Sequence, residues 1–159
     1  MNQKIIIRRF EDYDADKVSG LIIENLMKKN VLEFGKSAVT LLSEYYLPQQ
    51  LQESAKNEEL HVASDGSDIV GTASLDNGRI RNVFVKMGRH RQGIGTQLVR
   101  YCEEVAAHQG KLNVFLFANL AAVDFYQDLG YSIIEEKTET IGAASLNMML
   151  MVKRLPHTK

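Results

Sequence analysis

An apolar triplet, Val83-Phe84-Val85, runs into a basic stretch carrying Gly88, Gly93 and Gly95, and from there into a helical repeat of Ile94, Leu98, Cys102 and Val105. A strand, a glycine loop and a helix in direct succession gather unpaired backbone N–H groups and the positive end of a helix dipole at one spot. Gly93 and Gly95 let a ligand approach the main chain, and Lys86, Arg89 and Arg91 add mobile positive charge. Such a segment is a cradle for an anion such as a pyrophosphate. Two well-known phosphate loops are excluded by spacing. A dinucleotide fingerprint needs a third glycine where Leu98 stands, and a Walker loop needs Lys and Ser/Thr where Ile94 and Gly95 stand.

The remaining elements are arranged around this unit. Ile5, Ile6 and Ile7 read as a first strand, followed by Glu11, Asp12 and Asp14, which cap a helix from about Asp14 to Lys29 with Val18, Leu21, Ile22 and Leu26 on one face. A second helix runs from Ser37 to about Tyr46, and Pro48 interrupts it. Leu60 to Ser64 and Ile69 to Leu75 form a hairpin about the turn Asp65 to Asp68, and Asn77-Gly78 leads into a strand from Arg79 to Lys86. The apolar positions Ile80, Val83 and Val85 break strict alternation, as a bulge near Asn82 or a strand buried on both faces would. The helix after the loop ends near Gly110. Leu112 to Phe117 reads as a strand buried on both faces, Asn119 opens a short helix closed by Gly130, and Tyr131 to Lys137 and Ala144 to Lys153 are final strands.

Several partner classes are excluded by charge. Nineteen basic against twenty acidic residues give a formal charge of -1, too little field to hold nucleic acid or an anionic membrane. No signal-peptide core or stretch of ~20 apolar residues is present, and the single cysteine, Cys102, forms no internal disulfide, so a cytoplasmic location is expected. The histidines lack metal-ligand spacing, and no metal is expected. Met148, Met149 and Met151 fill core or an interface, and a homodimer stays open.

From Ile5 to Val152 the chain resembles the GNAT superfamily of N-acetyltransferases. The family loop reads Arg or Gln, two residues, Gly, any residue, Gly or Ala, after a Leu/Val-aromatic-Val triplet. Here the triplet is Val83-Phe84-Val85 and the loop is His90-Arg91-Gln92-Gly93-Ile94-Gly95, departing only at His90. A second match, Ala118 to Tyr131, resembles the family's helix opened by Asn119, with Tyr126 seven residues on, before Gly130-Tyr131. The resemblance implies one acetyltransferase domain over 1–159. It comprises a first strand and acceptor-side helices (1–59), central strands, loop and third helix (60–110), and a fifth strand, fourth helix and C-terminal strands (111–159). The implied fold is α/β, a mixed, mostly antiparallel six- or seven-stranded sheet with a splayed centre and helices on both faces.

The same resemblance implies acetyl-CoA as cosubstrate, bound by Val83, Phe84, Val85, His90, Arg91, Gln92, Gly93, Ile94, Gly95, Thr96, Asn119 and Tyr126. The Val85 amide would polarise the thioester, worth about 2.7 to 4 kcal/mol if oxyanion-hole data transfer. Tyr126 would protonate the departing thiolate, with Asn119 on the same side of the helix, capping it and holding the pantetheine amide. By periodicity alone Tyr126 also fits a core aromatic beside Ala122 and Leu129, and Asn119 a plain cap. The acceptor is an amine of a small molecule or peptide. Where the family often has a carboxylate, this chain has Arg81 and Asn82, leaving water or a helical residue such as Glu33 or Glu44 as base. Arg81 is either a paired or solvated surface charge or, facing the acceptor, a fork for a carboxylate or phosphate. The missing carboxylate keeps a second reading open, a catalytically weak acyl-CoA-binding sensor or interaction module.

Overall fold

In the computed structural model, which describes residues 4–156, seven strands form one sheet in the order β1-β2-β3-β4-β5-β7-β6. The strands are β1 (Ile6–Arg9), β2 (Glu59–Ser64), β3 (Ile69–Asp76), β4 (Arg79–Val85), β5 (Asn113–Asn119), β6 (Ser132–Ile141) and β7 (Ala144–Arg154). Neighbours run antiparallel except β4 and β5, which are parallel. The helices are α1 (Ala15–Asn25), α2 (Val31–Phe34), α3 (Lys36–Ser43), α4 (Pro48–Ser54), α5 (Ile94–His108) and α6 (Val123–Asp128).

Each face of the sheet carries its own core. Val18, Leu21, Ile22 and Leu26 of the first helical segment pack with Phe10, Val39, Leu51, Leu60, Val62 and Phe84 on one face. On the other, Leu98, Val99, Cys102 and Ala106 of α5 and Tyr126 of α6 pack with Ile80, Val83, Val85, Val114, Leu116 and Met151. Burying an apolar side chain of this size stabilises by about 1.5–3 kcal/mol. The periodicities of the first helix and of α5 are therefore core faces. Arg8 anchors β1 to the start of α1 through two 2.8 Å hydrogen bonds to the Asp14 carboxylate, which also accepts from the Glu11 amide at 2.8 Å.

The helical region is more divided than the two helices its periodicity suggests. A π turn at Leu26–Asn30 follows α1, then come α2, a break at Gly35, and α3. Pro48 ends one helix and also starts the next, because its fixed φ and missing N–H suit the first helical position.

Asn77, with φ of 47°, and Gly78, with φ of 87°, form the tight turn between β3 and β4. The register then shifts between Thr72 and Ser74, opposite Asn82, which has φ of 55°. The bulge moves Val83 and Val85 onto the α5 face with Ile80 and leaves Arg79 and Arg81 on the α1 face with Phe84.

Past the bulge, the sheet opens. A single register pair, Arg79 with Phe115, joins β4 to β5, alongside the Phe115 amide donating to the Gly78 carbonyl at 3.0 Å. The divergence corrects the expectation for β5. Val114, Leu116 and Ala118 are buried, but Phe115 and Phe117 are only half-buried and Leu112 is exposed. The strand buried on both faces is β3, whose first seven residues are all buried.

His61 on β2 is 4% exposed, stacks edge-on to Tyr101 at 5.0 Å and has no hydrogen bond to either ring nitrogen among the described residues. Burial lowers its pKa, with Glu59 pulling the other way and Arg9 reinforcing the depression. An imidazole depressed in the fold binds fewer protons than in the unfolded chain. Its stabilising contribution is therefore complete above the unfolded value of about 6.5 and is lost as pH falls through the window below it. Thermal melts from pH 7 to pH 5 should fall more steeply for the wild type than for His61→Phe; parallel slopes would count against this origin.

Candidate functional site

The gap between β4 and β5 supplies the geometry. The Lys86 amide donates to the Val70 carbonyl at 2.9 Å, so by alternation Val83 and Val85 turn their amides away from β3 and into the gap. The Val85 carbonyl is taken by Asn25, whose Nδ2 donates to it at 2.9 Å and to the Leu21 carbonyl at 2.9 Å. Asn25 is 2% exposed. The sequence signal was a polar residue at the spacing where the apolar face of α1 calls for a hydrophobic one.

At the end of β4 the chain turns through Gly88 to the start of α5. Gly93 caps α5 with φ of 80°, a left-handed conformation that favours glycine, and a Cβ there would meet nothing within 4 Å. The Gly93 carbonyl accepts from the Gln97 amide at 3.0 Å. Among the described residues, the amides of Gly93, Ile94, Gly95 and Thr96 donate to no group, and no side chain caps the helix. They form an open row of donors at the positive end of a fifteen-residue helix. Gly95 differs from Gly93. A Cβ on it would lie 3.3 Å from the Phe125 ring and 3.6 Å from Val85, so its small size seats α5 against α6 and β4.

The loop's cations are less mobile than their sequence suggests. Lys86 is hydrogen-bonded to Asp68, and Arg89 donates to Asp65 at 2.8 Å and to Gln92 at 2.9 Å. The Arg89 bond, with the amides of Ser67 and Asp68, holds the Asp65 carboxyl well below the usual range. Two carboxylates of the β2–β3 turn thus fix the loop's shape, leaving Arg91, with φ of 62°, as its exposed cation. The His90 imidazole is lowered by burial first and by Lys29 next, with the Val85 backbone opposing them.

Across the gap, Asn119 and Tyr126 part company. The helix begins only at Val123, after a 3-10 turn at Leu120–Ala122, so helical spacing counted from Asn119 does not apply. The Asn119 side chain does not cap its own turn. Its Nδ2 donates to Glu33 at 2.8 Å, and the Leu120 amide donates to the other Glu33 oxygen at 2.7 Å, so α2 caps the turn from across the groove. Tyr126 is 9% exposed, packed on the α5 side beside Phe125 at 5.0 Å and edge-on to Tyr131 at 5.7 Å. Burial first, and Cys102 next, push its hydroxyl pKa up, so it keeps its proton. Below it, Tyr131 donates to buried Glu103 at 2.8 Å and Lys153 donates to the same carboxylate at 3.0 Å.

On the opposite face, Tyr46 donates to Asn82 Oδ1 at 2.8 Å and meets Phe84 edge-on at 6.0 Å, pinning the bulge. Arg81 lies within 3.3 Å of the Glu58 carboxylate, which is 7% exposed, so its charge is compensated inside the protein. The groove is open. Two surface hollows, of about 220 Å³ beside Glu58 and Asp76 and about 210 Å³ beside Asp14 and Asp68, lie away from the gap-facing valines and the residue 90–96 loop. Among the described residues, no cluster of His, Cys, Asp or Glu could hold a metal, and no helix is long and apolar enough to cross a membrane.

A family model described as an acetyltransferase (GNAT) domain matches residues 24–152. No curated protein gives a significant match. Among solved structures, a GCN5-related N-acetyltransferase from Rhodopseudomonas palustris superposes with a TM-score of 0.89 at 18% identity, covering 98% of each chain. The PaiA N-acetyltransferase of Thermoplasma acidophilum, in complex with coenzyme A, gives a TM-score of 0.76 at 18% identity, covering 95% of this chain and 99% of that one. YncA of Salmonella typhimurium, a putative acetyltransferase with acetyl-CoA, gives 0.70 at 13% identity, covering 98% and 96%.

Close packing at Gly95 makes a prediction. Gly95→Val should destabilise by about 1–3 kcal/mol through overpacking against Phe125, and adding Phe125→Leu should recover part of the loss. Denaturant melts of the two single variants and the double variant measure the coupling; strict additivity would mean that the ring does not set the spacing.

Proposed function

The chain belongs to the GNAT family of acetyltransferases, and on that premise we propose that it moves the acetyl group of acetyl-CoA directly to an amine of a small molecule or peptide. The observation that carries the reading is the gap itself. Strand amides at Val83 and Val85 face it, and the unpaired amides from Gly93 to Thr96 stand at its mouth. An extended arm bearing amides pairs with an open strand edge as an added strand would. A diphosphate suits the helix N-terminus at the end of that edge.

The bound cosubstrate supplies an activated acyl group on a thiol leaving group. The protein's own part is preorganisation. The Val85 amide donates to the oxygen that gains charge as the amine attacks, worth about 2.7–4 kcal/mol by analogy with oxyanion holes. Direct transfer requires no covalent protein intermediate. The face of the gap toward α5 and α6 is closed by the contact of Gly95, Phe125 and Val85, so the amine approaches from the α1 face.

Tyr126 supplies the leaving group's hydrogen bond. A phenol held above its ordinary pKa of ~10 is a weaker acid than a thiol of ~8.5, so it stabilises the thiolate as a donor while retaining its proton. This refines full proton transfer into hydrogen-bond donation. No carboxylate replaces Arg81 or Asn82, and Glu33 is occupied with Asn119 and Leu120. Glu44 is exposed and Glu58 is paired with Arg81, so the amine arrives neutral or loses its proton to water, and kcat/KM should follow the free-amine fraction of each acceptor. The missing carboxylate is also the observation that favours the rival, an acyl-CoA sensor without turnover.

Acetyl-CoA at about 100 times its Kd should add ~2.7 kcal/mol of stability in a thermal-shift measurement. Thiol release over an amine panel then divides enzyme from sensor, since a sensor is stabilised but releases nothing. Tyr126→Phe should lower kcat by about a hundredfold with acetyl-CoA affinity unchanged. Full activity would assign Tyr126 to packing alone.

A further inference from the structure

On the amine's side of the sheet, Arg79 has no carboxylate partner among the described residues. Arg79, the first residue of β4, lies six residues before Val85, ~20 Å along the strand. Its guanidinium carbon stands 4.6 Å from the centroid of the Phe117 ring on β5, and its Nε is buried with no hydrogen bond among the described residues. No described carboxylate lies within 4 Å of it, whereas Arg81 on the same face has Glu58. Phe117 is held edge-on to Phe115 at 6.3 Å, so the platform beneath the guanidinium is fixed by β5.

We propose that Arg79, held over the Phe117 ring with its terminal nitrogens unbonded among the described residues, anchors a carboxylate of the acceptor, so that the acceptor is a short peptide or a long-chain amino carboxylic acid rather than a simple or polycationic amine. The inference rests on the acetyl-transfer reading and names the substrate class for that site. A guanidinium held over an aromatic ring offers a preoriented fork that a carboxylate meets with two parallel hydrogen bonds. Burial, and then Arg81, depress its pKa, while Glu139, Asp76 and Glu58 pull the other way from a distance. Phe117 is half-buried because β4 leaves β5 at that point, so the same divergence that opens the groove exposes the anchor.

The test is thiol release from acetyl-CoA with amino carboxylic acids of increasing chain length, each beside its carboxamide. The expected wild-type result is a preference for acid over amide of about tenfold or more in kcat/KM for the best chain length. Arg79→Gln should bring that ratio to parity through KM, with acetyl-CoA affinity by calorimetry unchanged, and Arg79→Lys should recover part of the preference. Parity in the wild type, a preference that survives Arg79→Gln, or an equal loss for acids and amides would overturn the role. Turnover of both series without discrimination overturns this inference alone; no acetyl-CoA heat, or no thiol release with any amine, overturns the acetyl-transfer reading with it.

Discussion

The parting of β4 from β5 is the constraint on which the rest depends. Two neighbouring strands of a sheet normally satisfy each other's backbone groups, yet here they share one register pair and then separate. Two edges are thereby created in the interior of a seven-stranded sheet. The bulge at Asn82 makes the opening useful, because it reverses which side chains face which core. Valines cover the α5 side and arginines the α1 side of one strand. Without the extra residue, Val83 and Val85 would fall on the face with Arg79, and the gap would have neither a packed wall nor a charged one.

The parts around the opening are braced by long-range contacts. Asp65 and Asp68, in the turn between β2 and β3, hold Arg89 and Lys86 and so give the anion loop its shape. Gly95 against Phe125 sets the distance between α5 and α6, and Glu33 ties α2 to the turn after β5. A loop that grips through main-chain donors gains from being held in one shape, since ordering it on binding would subtract from affinity. The cations first read as ligand-seeking serve this purpose instead, with Arg91 left exposed.

Features set by neighbouring residues were legible in the sequence. The Asn77-Gly78 turn, the bulge implied by Ile80, Val83 and Val85, and the apolar face of α5 all depend on local conformation and periodicity. The loop and the chain family were legible for the same reason, since their signal lies in short spacings. What escaped depends on distant partners. Glu33 caps a turn 87 positions away. Arg79 and Arg81 share a face by simple alternation, and only the position of Glu58 across the fold decides which is neutralised. Phe115 and Phe117 read as core because nothing in their own run announces that the next strand has left. Pro48 reads as a stop, although the position after a stop is also where a helix starts most easily.

The single pair at Arg79 and Phe115 also has a dynamic consequence. In an uninterrupted sheet, amides of central strands exchange their hydrogens with solvent only through large openings of the structure. The gap-facing amides of Val83 and Val85 lack such a lock, so in the empty protein they trade protons with water as surface groups do, while the Phe84 amide on the β3 side stays slow. Exchange along β4 thus alternates residue by residue, and a molecule that fills the groove registers as the disappearance of that alternation.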